Sequence, residues 1–156
     1  MRVSKVLLFL VGFVCIFAGT VSAQYSWAEL QRMYMSYLSV EGYSPSIDSD
    51  GDVAFKKEGR PFWIEVNEND LGYFRIGYLA NYALDYEYEA RQFPIAMDYA
   101  NRRTKVAKVY SLEDGGRFMI SAEIYVATPE DFKIVFNRMI NAINKARENF
   151  LDKMEE

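Results

Sequence analysis

The chain has no histidine, and its only cysteine is Cys15. The commonest general base and metal ligand is therefore missing. Cys15 lies inside an apolar run near the start. Beyond that run, thiol catalysis, thiolate metal sites and disulfides are all excluded. Positive charge is also in the minority, with 18 Lys and Arg against 22 Asp and Glu and a formal net charge of −4. An acidic chain with no basic block argues against nucleic acid as a partner. There is no glycine-rich phosphate loop, since Gly115-Gly116 reads as a plain turn. No internal repeat, low-complexity tract or linker divides the chain.

The apolar run itself, Val6 to Ala18, is broken only by Gly12. A spanning helix needs about 20 apolar residues, so the run is short for one. Arg2 and Lys5 precede it, and Val21-Ser22-Ala23 follows with small residues where a signal peptidase cuts. This is the pattern of a secretory signal over 1–23, with the mature chain starting at Gln24. The rival is a retained membrane anchor. A lipoprotein signal fits less well, because bulky Phe13 and Val14 precede Cys15. Cleavage would take the net charge from −4 to −6 by removing Arg2 and Lys5. The expected location is periplasmic or secreted, with no stable membrane insertion after cleavage. Residues 24–156 are enough for one domain with an ordinary core.

What is present is strong periodicity. Thr128 to Met154 reads as one amphipathic helix. Phe132, Val135, Phe136, Met139, Ile140, Ile143, Phe150, Leu151 and Met154 recur at spacings of three and four, with Ala146 in the seam. Thr128 suits an N-cap, Pro129 the first turn, and Glu130 and Asp131 the positive end of the helix dipole. Each large side chain buried there contributes about 1.5–3 kcal/mol of gross burial. A stripe this wide needs a broad apolar surface opposite it.

Upstream, Ser26 and Glu29 form a capping box for a first helix that Gly42 ends. Tyr43 to Ile47 is a short extended lead, kept from a central strand position by Pro45. Asp48-Ser49-Asp50-Gly51-Asp52 carries alternating carboxylates. A calcium loop of the EF-hand kind wants its glycine at position six and an acid at twelve. Gly51 and Gly59 stand at four and twelve instead. The segment reads as an Asp-Gly turn, and the fold is expected to be indifferent to calcium. Val53 to Lys57, Phe62 to Val66 and Tyr73 to Tyr78 then alternate as an antiparallel meander. One face carries Phe62, Ile64, Val66, Phe74, Ile76 and Tyr78; the other carries Trp63, Glu65, Tyr73 and Arg75. In Asn81 to Glu89 tyrosine alternates with acid, which fits either a strand extension or a loop whose tyrosines grip a ligand. A second helix runs to about Arg103, lined by Phe93, Ala96, Met97 and Ala100, with Pro94 in its first turn or at a kink. Val106 to Tyr110 and Phe118 to Tyr125 are the fourth and fifth strands.

The expected fold is therefore α+β, with a five-stranded antiparallel sheet and the element order α-β3-α-β2-α. That order resembles the YbjN-type family of bacterial proteins, which carry the name of sensory transduction regulators and have the fold of type III secretion chaperones. The stretches that carry the resemblance are Ile47 to Phe55, Ala100 to Tyr110 and Ile120 to Glu123. It spans nearly all of 24–156 and implies a single YbjN-like domain. The export signal departs from the better-known members, so cytoplasmic regulation and effector handling do not carry over. The resemblance supplies no catalytic residues.

Three functional classes follow. A carboxylate-based hydrolase would draw on Asp48, Asp50, Glu65 or Glu123, whose separations the sequence does not fix. Glu123 would be a shifted acid if buried, or an outward residue on the polar face of the sheet by alternation. A binding or chaperone-like module would offer a sheet face to a protein partner or to a second copy of itself. A structural subunit of an envelope assembly is the third class. The aromatic content is high at 16%; most of it is core, and the surplus, Trp63 and Tyr73 on the face that the helices should not cover included, favours the second. The candidate interaction surface is Trp63, Tyr73, Tyr82, Tyr86 and Tyr88. No catalytic residue, metal ligand or cofactor is expected.

Overall fold

The computed structural model describes residues 25–112 and 116–156. The export segment read over 1–23 and residues 113–115 lie outside them. Helix α1 (Trp27–Val40) leads into strands β1 (Ser46–Ile47), β2 (Val53–Lys57), β3 (Arg60–Ile64) and β4 (Tyr73–Asn81). Helix α2 (Glu87–Arg103), strands β5 (Ala107–Ser111) and β6 (Arg117–Tyr125), a 3-10 turn (Pro129–Asp131) and helix α3 (Phe132–Met154) complete the chain. Among the described residues there is one six-stranded sheet, ordered β1-β2-β3-β4-β6-β5, and every neighbouring pair is antiparallel.

The α+β class is as expected, but the sheet has six strands rather than five. The addition is β1, the extended lead after Pro45, which pairs Ser46 with Ala54 and Ile47 with Val53 at the sheet edge. Pro45 stands just before it, at the sheet edge where proline is tolerated. The Asp-Gly turn closes this hairpin. One Asp48 carboxylate oxygen accepts the amides of Asp50 and Asp52 at 3.0 and 2.9 Å. Gly51 has φ +88°, and the Trp27 ring packs against it where a Cβ would sit. Asp52 turns inward to accept the Val66 amide at 2.9 Å.

Two further expectations are corrected. Pro94 lies well inside α2 rather than in its first turn; its side chain faces solvent, and in that position it lacks the N–H for the helical bond and its ring crowds the carbonyl one turn back. The last helix begins as a 3-10 turn, and α3 proper starts at Phe132. There the Thr128 amide and hydroxyl both donate to the Asp131 carboxylate, at 2.9 and 3.0 Å.

All three helices contribute to one core against a single face of the sheet. Phe132, Phe136, Ile140, Ile143 and Phe150 of α3 are buried with Phe62, Ile64, Phe74, Ile76, Phe118 and Ile120. The rings interlock: Phe118 and Phe150 lie 4.4 Å apart, and Tyr34 meets Phe132 edge-on at 4.9 Å. Such pairs add about 0.5–1.5 kcal/mol beyond their area. Asn149, also on α3, is buried, and its side-chain amide donates to the Thr104 hydroxyl at 3.2 Å. No described helix is long and apolar enough to cross a membrane.

Candidate functional site: the open sheet face

The helices cover one face of the sheet, and the other face is built by the alternate residues of the same strands. Trp63 and Gly77 are register partners on β3 and β4. A Cβ on Gly77 would lie 2.0 Å from a ring carbon of Trp63, so the indole lies flat on the glycine. Ser121 follows on β6 opposite Gly77, fully buried, and Lys108 follows on β5. One row further along, charge replaces the ring.

The charged groups run from Glu65, just past the end of β3, through the register partners Arg75 on β4 and Glu123 on β6 to Lys108, which reaches over from the neighbouring row on β5. Arg75 on β4 donates to Glu65 at 2.8 Å and to the Tyr110 hydroxyl at 2.8 Å. Its Nε is buried without a hydrogen bond, 3.6 Å from Glu123 Oε1. Glu123 on β6 also accepts from the Ser121 hydroxyl at 2.8 Å and from Lys108. Two carboxylates and two cations thus alternate in the order Glu65, Arg75, Glu123, Lys108. Burial alone would raise the Glu123 pKa; the bonds from Lys108 and Ser121 and the charges of Lys108 and Arg75 prevail and hold it below the usual carboxylate range. Burial would likewise lower Arg75, but its bond to Glu65 and the nearby Tyr110 and Tyr73 keep its pKa above the ordinary value. Beyond this row Tyr73 and Tyr125 are register partners with ring centres 5.8 Å apart. Burial and the Glu123 charge push Tyr73 up to about 12. Tyr125 is 73% exposed.

The structure therefore brings Trp63, Tyr73, Glu65 and Arg75 together as the alternation predicts, and it places Glu123 beside them. It separates them from Tyr82, Tyr86 and Tyr88. Tyr82 follows β4 and packs edge-on against Phe150 of α3, at 5.9 Å, on the helix side. Tyr86 and Tyr88 sit at the start of α2, exposed, with rings stacked 5.7 Å apart at 17°. The five expected interaction residues form two surfaces, not one. Asp48 and Asp50 remain in the exposed turn between β1 and β2, apart from Glu65 and Glu123. A general acid needs a raised pKa, and Glu123 is shifted the other way.

Sequence reasoning missed Lys108, Tyr110, Ser121 and Tyr125 as members of this face. The signal was available in part: the alternation that buries Val109 and Ile120 turns Lys108, Tyr110 and Ser121 outward. What alternation alone does not supply is that β6 inserts between β4 and β5, which sets Glu123 against Arg75.

No family model matches the sequence, and no curated protein matches it. Solved structures are similar in fold, two of them as follows. One is YbjN from E. coli, a candidate transcription regulator, with a TM-score of 0.56 and 11% identity over 72% of this chain and 84% of that one. The other is an uncharacterised protein from Methanothermobacter thermautotrophicus, with a TM-score of 0.50 and 14% identity over 80% of this chain and 94% of that one. At these identities the likeness is one of fold, and the fold of this chain is YbjN-like.

Proposed function

We propose that this chain is an exported, non-enzymatic binding module that holds a polypeptide, a second copy of itself included, on the open face of its sheet. The observation that carries the reading is the grouping on that face of Trp63, Tyr73, Tyr110 and Tyr125 around the Glu65–Arg75–Glu123–Lys108 row. Aromatic rings with polar tips and an arginine are the residues that dominate protein contact sites. A face carrying both charge signs in alternation also suits a two-fold contact, in which each charge meets its opposite on the partner. Export rests on Arg2, Lys5 and the Val6 to Ala23 pattern, and N-terminal sequencing of the isolated chain should begin at Gln24.

Light scattering tests the contact. The wild type should be dimeric or held in a discrete complex, and Tyr73→Ser/Tyr125→Ser should be monomeric with little change in melting temperature. A monomeric wild type that binds no polypeptide would contradict the proposal.

A further inference from the structure

On the helix side of the sheet, away from Trp63, a groove of about 510 Å³ opens where β6 ends and α3 passes over it. Its floor is apolar: Val106, Ile124, Val135 and Ala142. Its rim carries four cations, Arg103, Lys105, Arg138 and Lys145, and no carboxylate lines it. That is the reverse of the chain as a whole, whose net charge is −4. Arg103 stacks over the Tyr99 ring and Lys145 pairs with Glu148 at 3.2 Å. Among the described residues, Lys105 and Arg138 have no carboxylate partner.

A second, independent observation marks the same place. Val106 stands in the left-handed region with φ +72°. A β-branched residue is a genuine outlier there, and such strain gathers at binding and catalytic sites. Val106 is nonetheless 48% exposed, so only about half of it is buried in return. The strained backbone presents an apolar side chain to an open groove between two free cations.

We propose that this groove binds a single-chain amphipathic anion, a fatty-acid carboxylate, with its alkyl chain along Val106, Ile124, Val135 and Ala142 and its head between Lys105 and Arg138. The volume is in the range of small-ligand sites. Charge complementarity selects an anion, and the apolar floor selects an alkyl chain over an inorganic ion. The site shares no residue with the open sheet face, so each can fail without the other.

The test is calorimetric titration of the chain, as isolated from expressing cells, with sodium dodecanoate below its micelle concentration. Saturable one-to-one binding is expected. Lys105→Gln/Arg138→Gln, which alters two exposed side chains, should weaken it by about tenfold or more, as for loss of charge-assisted contacts. Ala142→Trp should block the groove and abolish binding, and a thermal melt checks that this variant is folded. Absence of saturable binding in the wild type would overturn the proposal. So would binding that the Lys105→Gln/Arg138→Gln variant leaves unchanged. Preferential sedimentation with anionic phospholipid vesicles over dodecanoate binding would overturn the free fatty acid as ligand and make the groove a membrane contact.

Discussion

Gly77 and Trp63 are the most tightly fitted pair on the open face, and the fit is steric. Any Cβ on Gly77 must push the indole away. Gly77→Ala should cost about 1–3 kcal/mol, the range for overpacking a fitted site, measured by urea unfolding. In a Trp63→Ala background the same change should cost far less, because the neighbour is gone. Equal costs in both backgrounds would mean the glycine is needed for its backbone alone. Tyr73 gives a prediction of opposite character. Its ordinary value of 10 is pushed up to about 12 in the fold. Between those values the unfolded chain has lost the proton and the native chain keeps it, so Tyr73 makes stability fall as pH rises from 10 towards 12. Tyr73→Phe should flatten that alkaline limb. Glu123 works at the other end: its lowered pKa gives stability that is present above the unfolded value and lost as pH falls through the folded one. Glu123→Gln should therefore be less sensitive to acid than the wild type, by unfolding midpoints compared at pH 7 and pH 3.

At the scale of elements, the strand edges decide what the sheet can pair with. β5 is an edge strand, yet its central residue is already occupied. The Asn101 side chain on α2 accepts the Val109 amide at 2.7 Å and donates to the Val109 carbonyl at 2.9 Å. A side-chain amide thus stands where another strand would hydrogen-bond, which protects the edge. Asn101→Ala should cost about 1–3 kcal/mol for the two lost bonds and should speed hydrogen exchange at the Val109 amide. Unchanged exchange there would mean the helix backbone shields the edge without Asn101. The elements themselves were largely legible. The spacing of Phe132, Phe136, Ile140 and Ile143 gave α3, and the alternation in Phe62 to Val66 and Tyr73 to Tyr78 gave two strands and their inward faces. β1 was not legible as a strand, because two residues carry no period and Ser46–Ile47 is exposed throughout. Nor was the extent of β4, whose last residues to Asn81 run into a tyrosine-rich stretch that suits strand and loop alike. Asn149 was passed over because a polar residue on an apolar stripe gives no sign that a distant threonine will satisfy it.

For the whole molecule, one sheet separates two kinds of surface. The helix side holds the core and the cationic groove; the far side holds Trp63, the charge row and the Tyr73–Tyr125 pair. Of the five expected interaction residues only Trp63 and Tyr73 fell on the far side, because sequence proximity of Tyr82 to β4 says nothing about which layer the chain enters next. The central claim, that the open sheet face is where a polypeptide binds, is tested most directly by photo-crosslinking in the expressing cell. A benzoylphenylalanine is placed at Tyr125, 73% exposed on the open face, and separately at Ile134, 72% exposed on α3. The account predicts a single discrete polypeptide adduct from position 125, whether with a second copy or another protein, and none from position 134. No adduct at 125, or the same adduct from both positions, would contradict it.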